Sequence, residues 1–203
     1  DDGLNFEKID DKDYVYKGGS SEAAFEFDEN GDLWVVLRNE DGDETGFGSL
    51  LCTASADNLS NWQCPDKSDP ERNDSPEMFR HGEDIYLVAR RDVDGPYDQG
   101  LDELDFEERK SKYLFDYSLR PKRSAIYKID REQKKVVHLQ DIPGCGDTAI
   151  PSIRRTGPHS FLLANYTSPL DDCDINWMHG QSSRRGTQIY FMTIEFKVKM
   201  GGK

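Results

Sequence analysis

The stretch "SSEAAFEFDENGDLWVVLRNE", residues 20–40, decides how the fold is read. Its apolar residues form two short runs on either side of "DENGD", a polar turn containing Gly31. Short runs rich in Val, Phe and Trp between Asp, Asn and Gly mark strands, and two joined by such a turn make a hairpin. Glu22 opens the first strand and Arg38 closes the second, and both stand equally far from Asn30. Antiparallel pairing about that centre brings the acid and the base to the same end of the hairpin.

The hairpin recurs. "DSPEMFRHGEDIYLVARR" (74–91) and "TAIPSIRRTGPHSFLLANY" (148–166) follow the same plan, with turns at Gly82 and Gly157 and a richer second strand in each. Laid over one another, the copies align Arg38 with Arg90 and Asn165, and Glu22 with Asp74 and Thr148. Tyr166 stands just outside the third pair. Further strand pairs lie between the hairpins: "FGSLLCTAS" with "NWQCP", and "SAIYKID" with "KKVVHLQ"; "GTQIYFMTIEF" is the last strong strand. The second gap is longer because the charged segment 92–122 interrupts it, and its "LDELDFEERKSKYLF" is the one helical pattern. Four-stranded units at a spacing of about 50 residues point to an all-β chain and a β-propeller. The near-continuous apolar runs fit strands buried on both faces. A β-sandwich is the alternative. Residues 1–203 read as one propeller domain or a fragment of one. The insertion sits between the second and third strands of its blade, as a lid over a ligand or as an interface with a neighbour.

The net charge of −14 sets the chain against nucleic acid and anionic membranes. No run is long and apolar enough for a spanning helix, and no signal-peptide pattern opens the chain. Cys52 and Cys64 flank a strand–turn–strand segment in a register that allows a cross-strand bridge. Cys145 and Cys173 can form a second bridge, although four cysteines permit other connectivities and four buried thiols are the competing state. With the glycosylation-type triplets at Asn58, Asn73 and Asn165, the cysteines point to an extracellular or periplasmic protein. No cysteine or histidine spacing suits a metal, and no cofactor is expected.

Two shorter motifs sharpen the fold. "SADNLSNW" (55–62) reads S-x-D-x-x-x-x-W, and the opening "DDGLNF" (1–6) reads D-x-G-x-x-F. Both resemble the Asp box, whose aspartate ties down a turn while its aromatic plugs the space between strands. With these, the Glu-before-Arg spacing in "SEAAFEFDENGDLWVVLR" and the late "GDTAIPSI" and "FLLANYTSPL", the chain resembles the sialidase (neuraminidase) superfamily.

That resemblance implies a six-bladed propeller of which this chain supplies roughly three blades, beginning inside an Asp box. Preceding blades or a second copy would complete the ring. It implies a glycoside hydrolase on an acidic glycan, such as an exo-sialidase, with arginines on the sugar carboxylate and a tyrosine nucleophile activated by a glutamate. Glu22 matches that glutamate and Arg38 one arginine, while Arg90 matches another with Arg91 as its competitor. Where the family keeps its tyrosine this chain reads Asp147-Thr148-Ala149-Ile150, so Tyr166, on the adjacent strand end, takes its place as the candidate. Asp74 and Asp147 join the substrate side of the rim or cap strands, and Trp177 stacks on a sugar or plugs a blade. A non-catalytic carbohydrate-binding or structural propeller segment is the other function class.

Overall fold

In the computed structural model, residue 7 and residues 14–197 are described. The opening "DDGLNF" motif lies outside them. The described residues form three antiparallel sheets. The first holds β1 (Glu22–Phe27), β2 (Leu33–Asp43) and β3 (Gly46–Ala54) in that order. The second holds β4 (Asp74–His81), β5 (Asp84–Asp92), β6 (Lys122–Asp130) and β7 (Lys135–Cys145). The third holds β8 (Ala149–Arg155), β9 (Ser160–Thr167) and β10 (Gln188–Glu195). Each sheet runs outward from its first strand, and the three innermost strands stand side by side, β1 against β4 and β4 against β8. This is the blade arrangement of a propeller, cut open to a partial ring.

The turn of the opening hairpin forms because Asp28 organises it. Its carboxylate accepts from the amides of Asn30 (2.9 Å) and Asp32 (3.1 Å) and from the Trp34 indole (3.2 Å). Gly31 takes the left-handed conformation the turn needs, at φ 83°. The second strands β2 and β5 are buried on both faces, as their near-continuous apolar sequences require. Trp34, Val36 and Leu51 of the first sheet pack on Leu87, Ala125 and Tyr127 of the second. Tyr86, Val88 and Ile126 then pack on Phe161, Leu163 and Met192 of the third. The far side of the first sheet is covered by Tyr16, Leu59 and Trp62. Among the described residues nothing covers the far side of the third: Leu162, Ile189 and Phe191 are exposed, and β9 and β10 alternate accordingly.

Three local readings need correction. The third hairpin pairs Ala149 with Tyr166, so Tyr166 and not Asn165 is the counterpart of Arg38 and Arg90, and Ala149 and not Thr148 that of Glu22 and Asp74. The cause is a bulge at Ile150, at φ 55°, together with a turn whose centre lies past Gly157. "NWQCP" is no strand but a single bridge between Gln63 and Thr53, next to the Cys52–Cys64 disulfide. In "SADNLSNW" Trp62 does pack on the first sheet, but Asp57 is exposed and backbone bonds from Asn58 to Ser55 and Asn61 to Asn58 hold the turn.

The insertion between β5 and β6 carries α1 (Phe106–Ser118), opened by a reciprocal cap in which Asp105 accepts from the Glu108 amide and Glu108 from the Asp105 amide. A short α2 (Trp177–Ser182) precedes β10. Cys145 and Cys173 form the second disulfide.

Candidate functional site

Hairpin pairing brings the starts of β1, β4 and β8 and the ends of β2, β5 and β9 to one rim, with Glu22 opposite Arg38, Asp74 opposite Arg90 and Ala149 opposite Tyr166. Each arginine also reaches the next sheet. Arg38 bonds Glu22 at 2.9 Å within its hairpin and Asp74 at 3.4 Å across the boundary. Arg90 bonds Asp74 at 3.2 Å and, across the next boundary, the Thr148 carbonyl at 3.2 Å, with Asp147 at 3.8 Å. Bulges lead into β4 and β8, at Ser75 (φ 45°) and Ile150. A non-glycine residue there stores strain of about 1–3 kcal/mol. At Ser75 the bulge turns the amide onto Glu22, which accepts its bond at 2.6 Å.

Asp74 is the hub. It is wholly buried and accepts from Arg72 (2.5 Å), Arg90, Arg38 and the Tyr117 hydroxyl. Burial by itself would raise its pKa, but Arg72, Arg90 and Arg38 outweigh that and hold the carboxyl well below the usual range. Arg72 also bonds Glu40 at 2.8 Å and lies between the rings of Tyr97 and Tyr117, 4.7 and 4.0 Å from their centroids. These aromatics belong to a cap in which Tyr97, Tyr113 and Tyr117 of the insertion pack on Phe47, with Trp177 at its edge. Lys122 pins the cap from below. Buried, it bonds Asp92 at 2.9 Å and the carbonyls of Tyr117 and Arg120, and its burial lowers its pKa to about 8.

The residues singled out from sequence fall into two groups. Glu22, Arg38, Asp74, Arg90, Asp147 and Tyr166 share the rim, and Trp177 lies in the cap with its ring 5.6 Å from the Arg90 guanidinium. Arg91 does not join them: it pairs with Asp141 of β7 at 2.7 Å, at the outer part of its sheet. Tyr166 donates to Asp147 at 3.3 Å, and burial, followed by the Asp147 charge, raises its pKa. Sequence reasoning missed Arg72, Glu40 and Tyr117. The readable signal was Arg72 two residues before Asp74, on the same side of extended chain, and Tyr113 and Tyr117 a helical turn apart.

A cavity of about 320 Å³ opens at the inner edge of this rim, among Glu22, Ser75, Pro76, Glu77 and Ile150. A larger cleft of about 410 Å³ lies elsewhere, between β3 and the β6–β7 turn, and is lined by none of the rim residues named above.

No family model matches the sequence, and no curated protein matches it. Solved structures do. An endosialidase of phage phi92 aligns over 91% of this chain with a TM-score of 0.53 at 14% identity, and the alignment covers 28% of the endosialidase chain. An alpha-L-arabinanase of Penicillium chrysogenum, solved with arabinobiose, aligns over 87% of this chain with a TM-score of 0.52 at 10% identity, covering 46% of its own length. The fold is thus one these two share, and this chain spans less than half the length of either.

Proposed function

We propose that this chain is part of a secreted or periplasmic glycoside hydrolase built on a β-propeller and related to the sialidase superfamily. One observation carries the proposal: the Tyr166 hydroxyl lies against the Asp147 carboxylate on the same rim as Glu22. A phenol held above its ordinary pKa attacks only as its proton leaves, and Asp147 is placed to take it. In this scheme Tyr166 is the nucleophile at the anomeric carbon and Asp147 the base. Glu22, fixed by Ser75 and Arg38, is a neighbouring negative charge facing the positive charge that develops on the sugar. The acid that protonates the leaving group is assigned to another part of the ring. Two disulfides suit an oxidising compartment, and among the described residues no helix is long and apolar enough to cross a membrane.

The narrower form, an exo-sialidase, sets Arg38 and Arg90 on the carboxylate of an acidic glycan. The bonds that Asp74 already makes to both arginines favour a second reading, a propeller segment that binds carbohydrate or serves the architecture without catalysis. Both are tested with the full natural chain on fluorogenic sialosides and on fluorogenic neutral glycosides. Tyr166→Phe is expected to lower kcat about 100-fold with little change in KM. Turnover that survives the substitution removes Tyr166 as nucleophile. No turnover on any substrate leaves the non-catalytic reading.

A further inference from the structure

Taking the rim as a glycan site, as proposed above, we infer that the sugar it accepts is uncharged. Some rim charges are buried among their partners, and others reach solvent. Three guanidinium groups converge on one point, and the protein's own Asp74 carboxylate fills it, with no exposure to solvent. Other guanidinium nitrogens make further bonds, although Arg72 Nη1, shut off from solvent, has no partner among the described residues. Arg72 bonds Glu40, Arg90 bonds the Thr148 carbonyl, and Arg38 bonds Ser21, Glu22 and Glu40. Tyr97 and Tyr117 cover the cluster from the cap side. A carboxylated ligand therefore finds no open cation there, and Asp74 does not leave unless the cap opens with it.

The groups that reach solvent most are acidic. The side chains of Glu22 and Asp147 retain 34% and 18% exposure, whereas Arg38, held by Glu22 and Glu40, retains 14%, and Arg72 and Arg90 retain 4% and 6%. Glu77 lines the same cavity as Glu22, and Tyr166 adds a hydroxyl beside Asp147. Carboxylates accept hydrogen bonds from sugar hydroxyls, which every neutral glycan offers in number. An anionic sugar would add a like charge a few ångströms from Glu22 or Asp147 in a chain of net charge −14.

The test is an array of neutral and acidic oligosaccharides probed with the full natural chain, followed by titration of matched pairs. Lactose is set against 3′-sialyllactose, and arabinobiose against digalacturonate, at low and at physiological salt. The expected result is that the glycans retained are neutral, and that each acidic partner binds at least tenfold more weakly, the gap narrowing as salt rises. Acidic glycans bound more tightly than their neutral counterparts, with affinity falling as salt rises, would overturn the inference and leave the glycan reading standing. Retention of no glycan of either class would remove the glycan reading and the inference with it.

Discussion

Replacing Asp74 with alanine is expected to lower the free energy of unfolding by about 3–5 kcal/mol. Much of that loss comes from what stays behind: Arg72 and Arg90, almost fully buried, would lose their shared carboxylate. Asp74→Asn keeps the volume and a bond from Tyr117 but removes the charge, so it tests the ionic part separately. The pH dependence has a definite sign. The folded pKa of Asp74 lies below the unfolded value of about 3.9. Its stabilisation is therefore complete above that value and is lost as pH falls towards the folded pKa. Urea unfolding should show a gap between wild type and Asp74→Asn at pH 7 that narrows at pH 3. A gap of constant size across that range would contradict the ionic account.

Removing the Cys145–Cys173 bridge is the second large effect. Its cysteines are 28 residues apart, against 12 for Cys52 and Cys64. Loop-closure entropy then assigns about 3.5 kcal/mol to the first and about 3 kcal/mol to the second. For a chain of this size the Cys145→Ser, Cys173→Ser double variant should melt roughly 10 °C lower in calorimetry. Its consequences reach further than the number. Cys145 ends β7 beside Thr167, and Cys173 sits in the segment that delivers Trp177 to the cap. The equivalent Cys52, Cys64 variant should fall less and leave the cap in place. The opposite order would show that loop length does not set the effect.

The opening hairpin was legible because its chemistry is local. Asp28, Gly31 and equal spacing about Asn30 fix the turn and the Glu22–Arg38 register within a single short segment. The second hairpin gave Asp74 opposite Arg90 although Ser75 bulges, because its turn centre lies just past Gly82 and the two offsets cancel. In the third they do not cancel, and Tyr166 moves into the place assigned to Asn165. No propensity marks Ser75 or Ile150 for a left-handed backbone, so the bulges were invisible in the sequence.

The rim's charge pairing was legible only within hairpins. The two charged cross-strand pairs, Glu22–Arg38 and Asp74–Arg90, could be read, but Arg38 reaching Asp74 and Arg90 reaching Thr148 depend on how sheets stack. Arg72 precedes β4 and lies outside any strand, so only its two-residue spacing from Asp74 marked it. Tyr117 is the fourth residue after Tyr113 on an otherwise charged helix, a pattern that marks a buried stripe but not what the stripe covers. α1 begins inside "LDELDFEERKSKYLF", at Phe106, and runs past its end to Ser118.

The arginines that cross from one sheet to the next bear on how the chain comes apart. Stacked repeats ordinarily behave as a row of units, each held by its own stability and by contact with its neighbours. A row joined by apolar faces alone can fray from an open end, and the third sheet has such an end at Ile189 and Phe191. Arg38 ties the first sheet to the second through Asp74, and Arg90 ties that same carboxylate to the backbone that begins the third. Loss of the first sheet takes Arg38 from the buried Asp74, and loss of the third takes the Thr148 carbonyl from the buried Arg90. The penalty on partly unfolded states is thereby concentrated at the Asp74–Arg90 pair, which couples the three sheets.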